Sequence, residues 1–220
     1  CNKEYFVNLN KILSQENNSI IIIGGRLPVY LSKMFFNNQE GGIEDKEWNY
    51  EYKSTDYEKS LQSSFKNAVL KLSKNNKIIL IYPIPEVGWD INQKLYNRLP
   101  KIKNASIEEY LEPKNYVTTS FAVYENRTKS SFDLLDTVQG TNIYKVYPHK
   151  LFCNTIIKDR CLAHDNKDIF YADDDHPSTK GAEMINDLIM KKVEKIELNW
   201  FIMNFLQNLT DDELINFYPK

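Results

Sequence analysis

The chain has 220 residues, 42% of them hydrophobic and 26% charged, with a formal net charge of -2. That is the balance of a folded domain with a substantial core, not of a disordered chain. Its lysines alternate with acids, as in Glu183, Lys191, Lys192, Glu194 and Glu197; this is a solvated helix face and leaves no basic stripe to follow a phosphate backbone, so nucleic acid is excluded as the expected partner.

Taken in chain order, Phe6, Leu9, Ile12 and Leu13 have helical spacing, and Ser19 to Ile23 is a β-branched run stopped by Gly24-Gly25. Such a run predicts a buried strand of a parallel sheet. Residues Asn37 to Asp56 lack periodicity and predict an excursion, a hairpin being one form, over the edge of the sheet where ligands of open α/β sheets bind; a plain surface loop is the competing expectation. Leu61, Phe65, Val69 and Leu72 mark an amphipathic helix, and Ile78 to Tyr82 marks a second strand ending at Pro83 and Pro85. A mixed, partly helical stretch from Ile107 to Leu135 precedes a third strand, Ile143 to Tyr147. A fourth, Asp168 to Tyr171, is expected to lead into a helix starting near Pro177, whose stripe of Met184, Ile185, Leu188, Ile189, Val193 and Ile196 packs on the core. Helices alternating with strands predict an α/β domain with crossover helices.

The domain is expected to occupy residues 1–196, followed by a helical extension, 197–220. That extension is apolar from Leu198 to Leu209, and Thr210-Asp211-Asp212-Glu213 has the form of a capping box. It could cover the sheet or dock on a partner. No apolar run approaches the ~20 residues of a membrane-spanning helix, and no basic-then-apolar stretch occurs at the first residues. The first residue is Cys1 and not Met, which sets the expectation that processing or truncation removed something upstream.

Three cysteines are present. Cys153 and Cys161 flank a short polar segment and suggest a local disulfide, hence an oxidising compartment, with a pair of reduced thiols as the alternative. Cys1 is the odd one. It is either the lipid-bearing first residue of a lipoprotein or a half-cystine that lost its partner.

The most specific signal for chemistry is Tyr171-Ala172-Asp173-Asp174-Asp175-His176-Pro177-Ser178, in which an acid sits three residues before a histidine at a helix entrance. A histidine acting as general base needs its second ring nitrogen held by a carboxylate, which fixes the tautomer and stabilises the imidazolium. Asp173 is placed to do this. Pro177 suits the first helical position, which would set His176 near the positive end of the helix dipole and favour a neutral ring, while Asp174 and Asp175 oppose that. Two other readings remain: a helix-entry turn without chemistry, and a divalent metal site, disfavoured because adjacent residues of an extended segment face opposite ways.

At these residues the sequence resembles the SGNH hydrolase superfamily, whose last block is Asp-x-x-His before the C-terminal helix. Ile143 to Ala182, with the cysteine pair, resembles the SGNH domain fused behind the membrane domain of acyltransferase-3 proteins, which O-acylate surface polysaccharides. That family usually has Leu where Pro177 stands. Tyr82 to Asp90 is similar to its Pro-x-Pro-Glu-x-Gly segment, although a strand-ending proline turn has the same appearance. Ile20 to Tyr30 is similar to its strand ending in Gly-x-Arg, where other members have Gly-x-Asn-Asp.

The resemblance implies a flavodoxin-like three-layer α/β/α fold with a parallel sheet, N-terminally incomplete, and no cofactor or metal. Asp173 and His176 would be catalytic, and Gly24 and Arg26 would form an oxyanion hole, with a substrate-positioning or structural role equally open for Arg26. A Gly-Asp-Ser nucleophile block is expected in the family, but neither it nor Gly-x-Ser-x-Gly occurs in the sequence. In the family a cysteine commonly precedes the Gly-x-Arg strand and pairs upstream, which fits Cys1. The implied function is acyl transfer, acetyl being the expected group, to an envelope glycan. The partners would be that glycan and a donor delivered by a membrane acyltransferase domain, and the place the bacterial periplasm or cell envelope. An O-acetylesterase and a non-catalytic glycan-binding or scaffold domain are the alternatives.

Overall fold

A computed structural model describes residues 3–44, 60–98 and 106–207. The elements are α1 (Lys3–Gln15), β1 (Ile20–Ile23), α2 (Leu27–Ser32), α3 (Leu61–Leu72), β2 (Lys77–Ile81), α4 (Ile91–Arg98), α5 (Ile107–Tyr110), β3 (Thr118–Ser120), α6 (Phe121–Asp136), β4 (Ile143–Val146), α7 (His149–Phe152), β5 (Arg160–Leu162) and α8 (Thr179–Gln207). The principal sheet is parallel, with order β1-β2-β4. Ile20 to Ile23 align with Lys77 to Leu80, and Ile78 to Ile81 align with Ile143 to Val146.

β2 is central because both of its faces are apolar, as a parallel strand covered on two sides requires. Successive side chains alternate between faces. Ile78, Leu80 and Tyr82 pack with Val69 of α3 and Leu135 of α6. Ile79 and Ile81 pack with Val146, Ile196 and, from α8, Leu188, Ile189 and Val193. The result is the three-layer α/β/α arrangement. Each isoleucine so buried contributes about 1.5–3 kcal/mol relative to exposure.

Two departures from the sequence reading concern the stretch around the candidate histidine. Asp168 to Tyr171 is not a strand of the sheet. Asp165 turns the chain by accepting the backbone N–H groups of Lys167 and Asp168 (both 2.8 Å), so the segment folds back locally and forms only single bridges, His164 with Ile169 and Tyr171 with Pro177. Nor is Pro177 the first helical residue. Ser178 fills the capping position, its Oγ accepting Gly181 N–H at 3.1 Å and donating to Ile169 O at 2.6 Å, and α8 starts at Thr179.

The mixed stretch resolves into α5, a 3-10 turn at Pro113–Asn115, β3 and α6. β3 pairs antiparallel with β5, a small second sheet. These short strands have too few residues to show a period. Asn37 and Ile43 form an antiparallel bridge, so the described part of the excursion is a tight reversal. Residues 45–56 lie outside the described residues, as do Cys1 and the proposed capping box at Thr210 to Glu213. α8 continues without a break to Gln207, with Leu198, Trp200, Phe201 and Ile202 exposed. Among the described residues no helix is long and apolar enough to cross a membrane.

Cys153 and Cys161 are joined in a disulfide, packed against Tyr124. The bridge ties α7 to β5 and closes a loop with a sequence separation of 8. Loop-closure entropy assigns such a bridge roughly 2–3 kcal/mol. Replacing both cysteines by serine is expected to lower the unfolding free energy by about that amount in urea titration, with the slope against denaturant changing because the unfolded chain expands.

Candidate active site

The site lies at the C-terminal end of the parallel strands. The chain leaves β1 through Gly24 and Gly25 into Arg26, and leaves β2 through Tyr82 to Glu86; the loop 172–176 comes to meet both. Gly25, Arg26, Pro28, Ile81 to Ile84, Glu86, Asp175 and His176 line a cleft of about 200 Å³.

The loop is built by its own backbone. Ala172 N–H donates to His176 O at 2.8 Å, closing it at the base. Asp173 Oδ1 accepts the N–H groups of Asp175 (3.0 Å) and His176 (2.8 Å), the local side-chain turn that aspartate favours. The Pro-x-Pro-Glu-x-Gly segment grips the loop from below: Val87 and Gly88 donate to Asp174 O at 3.0 and 2.8 Å, and Tyr171 Oη donates to Pro85 O at 2.8 Å. Gly88 has φ +73° and lies so near Gly42 that an added Cβ would stand 2.9 Å from its carbonyl oxygen, so glycine is required there. The segment is thus more than a strand-ending turn.

Asp173 and His176 come together as their spacing predicts. Nδ1 of His176 lies 2.9 and 3.1 Å from the two oxygens of Asp173. The His176 side chain is 71% exposed, and no described residue hydrogen-bonds its Nε2. The ring therefore has one nitrogen held and the other presented to solvent beside the cleft. Its pKa is raised above the ordinary value, first by the hydrogen bond to Asp173 and then by the charge of Asp175. Burial and the charge of Arg26 oppose this and are outweighed. Asp173 is held at about 2: burial works to raise it, but the backbone N–H groups of His176 and Asp175 and the imidazole outweigh that.

Arg26 is saturated. Nε donates to Glu86 Oε1 at 2.8 Å, Nη1 meets Glu44 Oε1 at 3.1 Å and Asp175 Oδ2 at 2.9 Å, and Nη2 bonds both Glu44 and Glu86. Four hydrogen bonds to Glu44 and Glu86 and an ion pair with Asp175 engage it, which speaks for the structural role among those left open for it. Arg127 of α6 adds a second cation, its Nε 2.9 Å from Glu86 Oε2, and its Nη1 donates to Ser32 Oγ and Met34 O. Gly24 is placed by packing, since a Cβ there would lie 3.2 Å from Ile81 Cβ; the glycine that lines the cleft is Gly25.

The sequence reading missed Glu44, Arg127 and the part Asp175 plays. Its metal argument also assumed an extended loop, whereas the loop curls and brings ligand atoms of Asp173, Asp175 and His176 within 4.8 Å of one another, and likewise those of Glu44, Asp174 and Asp175. The positive charge that the buried carboxylates require is supplied there by the guanidinium of Arg26.

With fold and geometry in hand, the class is that of SGNH-type hydrolase domains: a three-layer α/β/α sheet with an Asp-x-x-His loop at its C-terminal edge. Residues 1–191 match the family model described as SGNH domain (fused to AT3 domains), and the chain belongs to that family. No curated protein and no solved structure matches the chain. The family makes this a domain of the acyltransferase and esterase type.

Carboxyl titration followed by carbon-13 NMR is expected to separate two of the loop's three acids, Asp173 near 2 and Asp175 near 6. Burial raises Asp175 against the opposing charge of Arg26. The signs for stability differ. Asp173, depressed, stabilises the fold above the ordinary carboxyl value of about 3.9 and loses this as pH falls toward 2. Asp175, raised, opposes folding increasingly as pH climbs from about 3.9 to 6, and His176 stabilises below about 6.5 and loses this as pH rises through its raised value.

Proposed function

We propose that the chain supplies the acid–base half of an acyl-transfer site, with the nucleophilic serine contributed by a segment outside these 220 residues. The observation that carries this is an imidazole with Nδ1 bound to Asp173 and Nε2 open beside a cleft at the sheet edge. Among the described residues lining that cleft there is no Ser, Thr or Cys.

In this reading Nε2 of His176 takes the proton of the serine hydroxyl as its oxygen attacks the acyl donor, and Asp173 stabilises the imidazolium. The donor's leaving group departs with that proton, and the acyl group is left as a serine ester. His176 then deprotonates a sugar hydroxyl, whose oxygen takes the acyl group, and the serine is regenerated. Gly24 and Gly25 would turn backbone N–H groups toward the oxyanion, and Arg26 would act by holding the carboxylates around it. The acceptor would be a cell-envelope polysaccharide, the acyl group acetyl, and the donor delivered by the AT3 region to which such domains are fused. A periplasmic or cell-envelope location fits the disulfide.

A carbohydrate O-acetylesterase is the second reading, favoured by the exposure of His176, since water reaches an open site as readily as a sugar does.

The polypeptide alone is expected neither to label with a serine-directed fluorophosphonate nor to hydrolyse nitrophenyl acetate above background. Robust turnover lost in His176→Ala would place the nucleophile within the chain instead. In the longer protein carrying the AT3 region, His176→Ala is expected to lower glycan O-acetylation about 10²–10⁴-fold, measured by acetate release from purified polysaccharide; unaltered acetylation would remove the acyl-transfer reading.

A further inference from the structure

His176 faces two carboxylates, not one. The hydrogen bonds of Nδ1 go to Asp173, yet Asp175 Oδ1 stands 3.0 Å from the same nitrogen. That oxygen is buried and has no hydrogen-bond partner, a condition rare in folded proteins and unfavourable for a charged group. The other oxygen of Asp175 is anchored to Arg26 Nη1 at 2.9 Å. The two acids are also unlike in setting, for the Asp173 side chain is 46% exposed and that of Asp175 only 6%. Water screens the first strongly and the second little. Asp175 can therefore act on the ring through its charge without holding the ring N–H in the resting geometry.

We propose that Asp175 is a positioning residue for His176: a buried second carboxylate, fixed by Arg26, that shares Nδ1 with Asp173 and stabilises the imidazolium once Nε2 has taken a proton. Its catalytic meaning rests on the reading of His176 as the general base. The charge that develops on the ring gives Asp175 Oδ1 the partner it lacks, because a small turn of the imidazole moves the Nδ1 hydrogen toward it. Arg26 keeps that charge in bounds. The groups facing Asp175 are Arg26 beyond β1, Glu44 at the end of the 33–44 loop, and Asp174 and His176 of its own loop, with Glu86 on the same guanidinium. Without the guanidinium, Asp175 would lie among uncompensated like charges and give up its own ionisation.

Nitrogen-15 NMR of the imidazole during pH titration tests this on the full chain. In the unaltered protein the His176 midpoint is expected above the ordinary value of about 6.5. Asp175→Asn is expected to move it down while the amide spectrum elsewhere is retained; a midpoint equal to that of the unaltered protein would overturn the proposal. Should Asp175→Asn disturb the packing around Arg26, Asp173→Asn decides the matter. A midpoint still above the ordinary value leaves Asp175 as the residual partner, and a midpoint at the ordinary value removes it.

The titration needs no acyl donor, so it fails or succeeds apart from the functional reading. A ring coupled to Asp175 in a longer protein whose acetylation survives His176→Ala would keep the shared clamp and discard the general base. The converse pair of results would discard the clamp alone.

Discussion

The guanidinium of Arg26 is the contact on which the site depends. Three carboxylates reach it from three separate pieces of chain: Glu44 from the loop after α2, Glu86 from the turn after β2, and Asp175 from the loop before α8. All three are nearly sealed from water, which makes each too costly to bury alone. The positive charge draws them together, against the burial that disfavours its own ionisation. Arg127 is the second cation of the cluster. Of the three carboxylates, Asp175 is the one that also stands beside the imidazole. The charge of Asp175 thus joins the hydrogen bond of Asp173 in raising the pKa of the histidine.

That arrangement also explains why the Pro-Glu-x-Gly segment matters. Glu86 joins both arginines, the backbone at Val87 and Gly88 holds the loop at Asp174, and Pro83 and Pro85 offer their carbonyls to Tyr124 and Tyr171. One short stretch after the central strand ties α6, the 33–44 loop and the histidine loop to the sheet. Asn38, fully buried, completes the tie by donating to Val87 O at 2.8 Å while its Oδ1 accepts from Glu40 and Gly42.

Much of this was legible in the sequence where one local cause dominates. Runs such as Ile20 to Ile23 and Ile78 to Ile81 predict strands of a parallel sheet, and both are; only the second is buried as expected, because β1 pairs with β2 alone among the described strands and leaves Ile22 exposed. Asp173 and His176 meet because three residues of loop bring them within reach whatever the rest of the chain does. The remainder depended on distant partners. Asp168 to Tyr171 has a strand-like composition, but its hydrogen bonds are taken by Ala163 and Ser178, a competition no window of sequence contains. Glu44 and Arg127 are, as residues, ordinary members of a loop and a helix. Only the fold turns them toward Arg26 and Glu86, with sequence separations of 18 and 41.

β1 is bonded on one side by β2, and no described strand pairs with its other side. Ile22 of this strand is 49% exposed. Among the described residues these four isoleucines form an unpaired strand edge, the kind of surface on which extended chains assemble. No charge, proline or bulge within β1 blunts that edge, so concentrated solutions of the isolated polypeptide are expected to self-associate through it.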